Sequence, residues 1–257
     1  MTYDSTGRRI RTENLAGETT AEAWDCCHRV LETRPDGSTT TWDYDDDGRL
    51  TSSSRLIPLD MTNVASARTA YAYDYHVDGQ LARADYAGGR TEDFAWDGLA
   101  LIRRGDERFV NEPHVGGGNP VVSSKGTTYF NDLLGTTVGA KAKGKYSAAA
   151  LTAFGEDISA PGSKHQAPST FFTGKPEVAG LGHAFLFRNY RAGLAKWHTA
   201  DPMGYPDGWN QLAYCGNGVI DAVDWLGARE FRLKKGKTNV KDVPCGGWID
   251  NGDGREY

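Results

Sequence analysis

Two aspartates in the last quarter of the chain have side chains suited to acid–base chemistry. Asp201 opens an Asp-Pro-Met-Gly segment, and Asp224 opens an Asp-Trp-Leu-Gly segment 23 residues later. Two carboxyl groups held close together cannot both ionise cheaply, so such a pair shares a proton and supplies both a base and an acid. The same segments are also ordinary turn sequences, in which the carboxylate accepts backbone N–H groups. Spacing alone favours the turn.

A calcium site is a weaker candidate. Asp43, Asp45, Asp47 and Gly48 match the opening of a calcium-binding loop, but Ser54 stands where the bidentate glutamate of that loop is needed. We therefore interpret this stretch as a strand followed by a turn.

The cysteines and histidines also give no metal site. Cys26, Cys27 and His28 are adjacent ligand types without a second ligand pair, and His183 and His198 have no cysteine or acid at ligand spacing. We predict no metal, no cofactor and unpaired thiols.

Two further glycine-containing segments were considered as functional sites. Residues 116–120 (Gly-Gly-Gly-Asn-Pro) lack the Lys-Ser/Thr ending and the helix of a phosphate-binding loop. Asp207 lies in a Pro-Asp-Gly turn and is kept as a weak third acid near Asp201.

Composition narrows the class of protein. The 257 residues include 32 Gly and 10 Pro, which argues against long helices, and 11% aromatic residues, which argues against disorder. The net charge of −5 excludes nucleic-acid binding by bulk electrostatics. No run of 18 apolar residues predicts a membrane span, and the first residues do not form a signal peptide.

The first part of the chain contains an internal repeat. An aromatic residue followed by aspartate recurs, and each pair is followed by a turn and a basic or apolar residue. Alternating segments such as 39–44 and 71–75 predict half-buried strands, and Asp-Gly and Gly-Gly pairs predict tight hairpin turns. We expect a mainly β fold of consecutive antiparallel hairpins that coil into a shell-like sheet, with few short helices. The pairs begin at Tyr3, Trp24, Tyr44, Tyr73 and Trp96.

These units resemble the tyrosine-aspartate (YD) repeats of Rhs proteins. Residues 44–50 (Tyr-Asp-Asp-Asp-Gly-Arg-Leu) are close to the family's own unit, and the similarity covers residues 1–158. Farther along, several short motifs follow one another in the order and spacing of the Rhs repeat-associated core domain. They lie at 172–175, 187–190, 201–204, 210–214 and 223–227.

The resemblance implies four regions: repeats over 1–158, a linker over 159–170, a core domain over 171–227, and a short basic tail over 228–257. In Rhs relatives the core domain is an aspartic self-protease that cuts the chain just after itself and releases a C-terminal toxin. Carried over by motif, the catalytic acids are Asp201 and Asp224, the supporting turn residues are Pro202, Gly204 and Gly227, and the cut falls between Ala228 and Arg229.

The second motif departs from the family pattern. The family usually has Asp-Pro-x-Gly-Leu, whereas Trp225 replaces the proline and Ala228 replaces the leucine. Ala200, before the first acid, provides no basic neighbour. These departures bear on the efficiency of cleavage more than on the fold.

We therefore expect the C-terminal part of an Rhs-type bacterial polymorphic toxin, whose sheet encloses an effector and whose core is a single-turnover aspartic self-protease. The alternative is a non-enzymatic cell-surface or adhesion module with an inactive core. The expected location is secreted or cell-surface, as part of a longer polypeptide. Expected partners are its own C-terminal segment as enclosed substrate, secretion machinery and an immunity protein.

The tail has a distinct charge. Residues 229–241 carry six Lys or Arg and one Glu. If the protein contacts nucleic acid at all, we expect a weak contact through this basic segment. Thirty residues cannot bury an independent core. We expect a truncated or degenerate toxin tip, at the end of a longer polypeptide or of a truncated copy.

Overall fold

The structure is a computed structural model, and it describes residues 1–5, 8–25, 28–58, 67–113, 115–158 and 171–232. Within these ranges no helix is both long enough and apolar enough to cross a membrane.

A single antiparallel sheet, termed the repeat sheet below, occupies the first part of the chain. Its fifteen described strands are hydrogen-bonded in sequence order, each to the next. This arrangement confirms the predicted fold of consecutive hairpins. The strands are β1 (Thr2–Tyr3), β2 (Arg9–Glu13), β3 (Thr19–Trp24), β4 (Arg29–Thr33), β5 (Thr39–Tyr44), β6 (Leu50–Ile57), β7 (Ala67–Tyr75), β8 (Leu81–Asp85), β9 (Thr91–Asp97), β10 (Ala100–Arg104), β11 (Glu107–Asn111), β12 (Pro120–Ser123), β13 (Thr128–Asn131), β14 (Thr137–Ala142) and β15 (Lys145–Ala148).

The aspartate of a repeat unit closes the turn that follows its strand. Asp45 Oδ1 accepts the backbone N–H groups of Asp47 (3.1 Å) and Arg49 (2.8 Å), and Asp45 Oδ2 accepts Arg49 Nε at 2.8 Å. Gly48 has a φ of +77°, a conformation that an L side chain rarely adopts. The Asp-x-x-Gly-Arg spacing is therefore the sequence of one self-contained turn.

The aromatic residue of a unit is fixed by a recurring hydrogen bond. In each case a side-chain O–H or N–H at the end of one strand donates to the backbone carbonyl that begins the preceding strand. Because this contact spans one strand pair, it sets the register of each pair. The contacts are Trp24 Nε1 to Arg9 O (2.8 Å), Tyr44 Oη to Arg29 O (2.9 Å), Tyr75 Oη to Leu50 O (2.7 Å) and Trp96 Nε1 to Leu81 O (2.8 Å).

This hydrogen bond corrects one unit of the predicted repeat. Tyr73 and Asp74 were expected to precede a turn, but both lie inside β7, and Tyr75 with His76 takes the equivalent position. Tyr73 is instead buried and donates to Ala179 O at 2.8 Å. The tyrosines at alternate positions of β7 point to one face, so alternation alone did not distinguish between them.

The core segment, residues 171–232, forms smaller sheets and irregular turns beside the repeat sheet. Its strands pair antiparallel in sequence order, five in one sheet and two in another. Two 3₁₀ turns, Ala192–Leu194 and Tyr214–Asn217, are its described helices. Arg104 Nη1 of the repeat sheet donates to Glu177 O at 3.0 Å, one of several contacts between the two regions. The strands are β16 (Phe171–Phe172), β17 (Lys175–Val178), β18 (Gly182–Ala184), β19 (Asn189–Arg191), β20 (Lys196–Trp197), β21 (Ala222–Val223) and β22 (Phe231–Arg232).

Aromatic side chains fill the interior of the core segment. The rings of Phe172 and Tyr190 are stacked with centres 4.8 Å apart, and Tyr214 lies 4.9 Å from Tyr190 and 5.3 Å from Trp197. Tyr214 of this cluster accepts the backbone N–H of Asp224 on its Oη at 3.2 Å.

The division of the chain into domains stays a prediction. The repeat sheet ends at β15, and an isolated bridge between Leu151 and Asp157 follows it. The predicted linker, 159–170, and most of the predicted tail, 233–257, lie outside the described residues.

Candidate active site

The two predicted acids meet at one buried arginine. Arg188 Nη2 lies 2.7 Å from Asp201 Oδ2 and 3.3 Å from Asp224 Oδ2, and the three side chains are no more than 4% exposed. The sum of these distances, 6.0 Å, is the upper limit for the separation of the two oxygens. The structure therefore brings together two carboxyl groups that are 23 residues apart in sequence.

The arginine itself is held on every side. Its Nε donates to Gly227 O, its Nη1 donates to Gln211 O at 3.0 Å, and its guanidinium carbon lies 4.3 Å from the centre of the Trp197 ring. Burial lowers the pKa of Arg188, while Asp224 and Asp201 raise it. The carboxyl groups of Asp201 and Asp224 beside it favour the charged form of the guanidinium.

Asp224 lies in a turn that points backbone donors at its carboxylate. Its Oδ1 accepts the N–H groups of Leu226 (3.1 Å), Gly227 (2.7 Å) and Ala228 (3.1 Å). Gly227 allows this turn because its φ is +77°. Burial raises the pKa of Asp224 to about 6, although Arg188 and the backbone donors act in the opposite direction. Burial of a carboxylate in low dielectric has this effect.

Asp201 closes a similar turn. Its Oδ1 accepts the N–H of Met203 at 2.8 Å, and its backbone carbonyl accepts the N–H of Gly204 at 3.1 Å. Gly204 has a φ of +87°, and Pro202 is exposed at the second position of the turn. The Asp-Pro-x-Gly pattern thus orients one carboxylate oxygen toward the backbone and leaves the other for Arg188.

The predicted scissile peptide lies against Asp224. Ala228 is buried and its N–H donates to Asp224 Oδ1 at 3.1 Å, and the backbone N–H of Arg229 lowers the pKa of Asp224. The chain then pairs Phe231 with Val223 as β22 joins β21. The residue before the predicted cut is therefore in direct contact with an acid.

A third carboxyl group lies close to this peptide. Asp207 Oδ2 accepts the backbone N–H of Glu230 at 3.0 Å. Burial raises the pKa of Asp207, the hydrogen bond from the Glu230 N–H and the charge of Arg188 lower it, and the charges of Glu230 and Asp201 raise it. The residue named from sequence as a weak third acid thus touches the chain just after the predicted cut.

Sequence reasoning missed two buried cations. Arg188 belongs to a motif that was matched to the core domain, but a single arginine in a short segment shows no pattern that would reveal its role. Lys175 is 2% exposed, and its Nζ donates to the backbone carbonyls of Leu99 (2.8 Å) and Gly117 (2.5 Å). Burial lowers the pKa of Lys175 to about 7, and Asp224 raises it. Lys175 therefore links the core segment to the repeat sheet.

The histidines named from sequence make structural contacts. His198 Nε2 lies 2.8 Å from Tyr44 Oη, and His183 Nδ1 lies 3.2 Å from Lys175 O. Among the residues that the structure describes, no group of three or more His, Cys, Asp or Glu side chains is arranged to hold a metal ion. Cys26 and Cys27, which were set aside as metal ligands, lie outside the described residues.

The residues of the rejected calcium loop are engaged in an ion pair. Asp45 and Asp47 both contact Arg49, at 2.8 Å and 2.6 Å. Their carboxylates thus bind a side-chain cation of the same turn.

Comparisons with known proteins give matches in structure. No protein-family model and no curated protein sequence matches this chain. The crystal structure of TcdB2-TccC3 without its hypervariable C-terminal region is similar over 88% of this chain, with 12% identity and a TM-score of 0.34. The Tc holotoxin pore of Photorhabdus luminescens, with a mutated TccC3, is similar over 89% of this chain, with 11% identity and a TM-score of 0.34. This chain spans 19% of the length of each of those chains.

Proposed function

We propose that the core segment is a single-turnover aspartic self-protease that cuts its own chain between Ala228 and Arg229. One observation carries the proposal: the Asp224 carboxyl group accepts the N–H of Ala228, the residue before the predicted cut, while it shares Arg188 with Asp201. Two acids and the peptide that they would cut thus lie at one buried point.

The two acids differ in ways that suit different roles. Asp201, at 2.7 Å from the guanidinium of Arg188, acts as the base that takes a proton from water. Asp224, whose pKa is raised to about 6, acts as the acid.

The proposed reaction is a hydrolysis that needs no further reactant. The water oxygen attacks the carbonyl carbon of Ala228 as Asp201 accepts a water proton. The C–N bond then breaks, and the proton of Asp224 passes to the Arg229 nitrogen. The products are a new carboxyl group on Ala228 and a new amino group on Arg229. Because enzyme and substrate are one chain, the reaction occurs once.

A second function is favoured by the same hydrogen bonds. Asp224 Oδ1 accepts three backbone N–H groups, as a carboxylate does in a purely structural turn. In that case the chain is a non-enzymatic surface or adhesion module, and Arg188 neutralises two turn carboxylates. The two functions differ in whether the Ala228–Arg229 bond stays intact.

The biological setting belongs to the first proposal and rests on the sequence resemblance. In that setting the repeat sheet encloses a C-terminal effector that begins at Arg229, and cleavage frees it from the sheet. A secretion machine and an immunity protein would then be partners, and the protein would act outside the cell that makes it. Any nucleic-acid contact would use the basic segment 229–241.

Variants of the two acids test the proposal. Asp201→Asn and Asp224→Asn keep the size of each side chain and remove its ionisable group, so intact mass spectrometry should find both variants uncut while the parent chain is cut. Asp207→Asn is the matched control, because Asn Oδ1 still accepts the Glu230 N–H, and it should be cut like the parent. Cleavage that persists in Asp201→Asn and Asp224→Asn contradicts the proposal.

A further inference from the structure

The turn that carries Asp224 is docked on the repeat sheet through the side chain of the next residue. Trp225 is buried and lies against the glycine-rich loop 116–118, which connects β11 to β12. This loop was rejected from sequence as a phosphate-binding site. In the fold, its glycine at 117 leaves space for the Trp225 ring.

Gly117 makes room for the Trp225 ring. A Cβ atom at this position would lie 2.3 Å from Trp225 Cδ1 and 2.7 Å from Cγ and Nε1, closer than real Cβ atoms approach. A Cβ atom on Gly116 would lie 3.9 Å from Cζ3, an ordinary van der Waals distance. Neither glycine has a positive φ, so the requirement at 117 is for space and not for backbone freedom.

The loop is also fixed from the core segment. Lys175 Nζ donates to Gly117 O, and Gly174 lies so close to the loop that a Cβ atom there would be 1.9 Å from Gly118 O. The loop is thus held between a buried ammonium group and the indole of Trp225, and it offers the indole a fixed surface.

The ring of Trp225 has a second neighbour beyond the predicted cut. The ring centres of Trp225 and Phe231 are 5.4 Å apart, with an interplanar angle of 30°. Trp225 therefore contacts the repeat sheet and the segment after the cut, while its backbone belongs to the turn that carries Asp224. Its position is the one at which the resembled family has a proline, and packing of the indole replaces the constraint of the proline ring.

We propose that the contact between Gly117 and Trp225 positions Asp224 for cleavage, so that the core segment has a competent acid pair only when it is docked on the repeat sheet. This inference rests on the proposed self-cleavage. Trp225 and Gly117 act through Asp224 and are positioning residues. Their role is regulatory in effect, because docking on the sheet must precede the cut.

The experiment compares Gly117→Ala with Gly116→Ala. A displacement of about 1 Å can slow a positioned reaction roughly a hundredfold, so Gly117→Ala should slow self-cleavage by roughly tenfold to a hundredfold, measured by intact mass over time after synthesis. Gly116→Ala should cut at the rate of the parent. Gly117→Ala combined with Trp225→Leu should cut faster than Gly117→Ala alone, because the smaller side chain gives way to the new methyl group.

A second measurement separates this inference from the proposed function. Hydrogen exchange reports the protection of the Leu226, Gly227 and Ala228 amides, which bind Asp224. Gly117→Ala should lose that protection and Gly116→Ala should keep it, with both variants retaining a cooperative thermal transition. If the parent is not cut, the self-cleavage is refuted, but the hydrogen-exchange comparison can still be made. Equal protection in the two variants, or equal rates of cutting where the parent is cut, overturns the positioning role.

Discussion

The repeat sheet and the core segment are stabilised in opposite ways. In the repeat sheet a unit completes its own turn and bonds mainly to the strand before it, as Asp45 does with Arg49 and Tyr44 does with Arg29. In the core segment the decisive contacts reach farther along the sequence, as Arg188 contacts Asp224, 36 residues away, and Lys175 donates to Gly117 O, 58 residues away. The sheet is therefore built from many modest local interactions, and the core from a few long-range ones.

Backbone strain follows the same division, whereas buried ion pairs occur in both regions. Positive φ angles at residues other than glycine are concentrated in the core segment, at Thr173, Ala195, Cys215 and Asn217, with Lys143 in the repeat sheet. The core segment buries Arg188 with Asp201 and Asp224, and the repeat sheet buries Arg29 with Glu22 and Glu32. Strain and buried charge cost stability and persist where surrounding structure enforces them. We expect substitutions to have large effects at the buried arginine of the core segment and small effects at exposed ion pairs of the sheet.

The largest effect is expected at Arg188. Arg188→Met leaves two buried carboxylates without their cation and should lower the free energy of unfolding by about 3–5 kcal/mol, measured by urea denaturation. Arg83→Gln is the control in the sheet, because the Arg83–Asp85 pair is exposed, and it should leave the denaturation midpoint unchanged. Similar midpoints for both variants would remove the distinction between the two regions.

The next effect concerns the pH dependence of cleavage. Because the pKa of Asp224 is raised to about 6, its carboxyl group is protonated below that pH and ionised above it. A group that must donate a proton then loses activity by about tenfold for each pH unit above its pKa, so cutting should be much faster at pH 5 than at pH 8. Rates at a series of pH values, measured by intact mass over time after synthesis of the chain at each pH, test this. A rate that increases with pH assigns the acid role elsewhere.

Lys175 should make stability depend on pH. Its pKa is lowered to about 7 in the folded state, whereas an unfolded lysine titrates near 10.5. Between these values the unfolded chain binds more protons, so stability should rise as pH increases from about 7 to about 10.5. Lys175→Met should remove this rise from denaturation curves, while Lys125→Met, at an exposed lysine paired with Asp106, should retain it. An identical pH profile in the parent and Lys175→Met would contradict the burial of a titrating ammonium group.

The smallest effect tests the register of the repeat. Asp45→Ala removes a side chain that accepts two backbone N–H groups and should cost about 1 kcal/mol. Asp74→Ala changes an exposed residue within β7 and should cost less, although both positions follow a tyrosine. Thermal denaturation of the two variants makes the comparison. An equal loss of stability in the two variants would indicate that Asp74 occupies the turn position that the repeat pattern predicts.

The same comparison shows how much could be predicted from sequence. The hairpins were predictable because their turns and hydrogen bonds are encoded within about twenty residues. The sequence could not show that Tyr75, and not Tyr73, precedes the turn, because the tyrosines at 71, 73 and 75 satisfy the same two-residue alternation. Their hydrogen bonds distinguish them, since Tyr75 donates to Leu50 O and Tyr73 donates to Ala179 O.

The candidate site was predictable in part. The aspartates followed from the order of motifs, and the structure brings them together on Arg188. The contacts of Arg188 with Asp224, of Lys175 with Gly117 and of Trp225 with Gly117 each span more than thirty residues, which no local pattern encodes. Trp225 was noted as a lost proline, and its docking surface became visible only with the position of the loop 116–118.

The most direct test is the intact mass of the freshly purified parent protein under denaturing conditions. The account predicts two species, one ending at Ala228 and one beginning at Arg229. A single species at the full 28.0 kDa, from protein that unfolds cooperatively, would contradict the proposed cleavage and leave Asp201, Asp224 and Arg188 as a structural cluster.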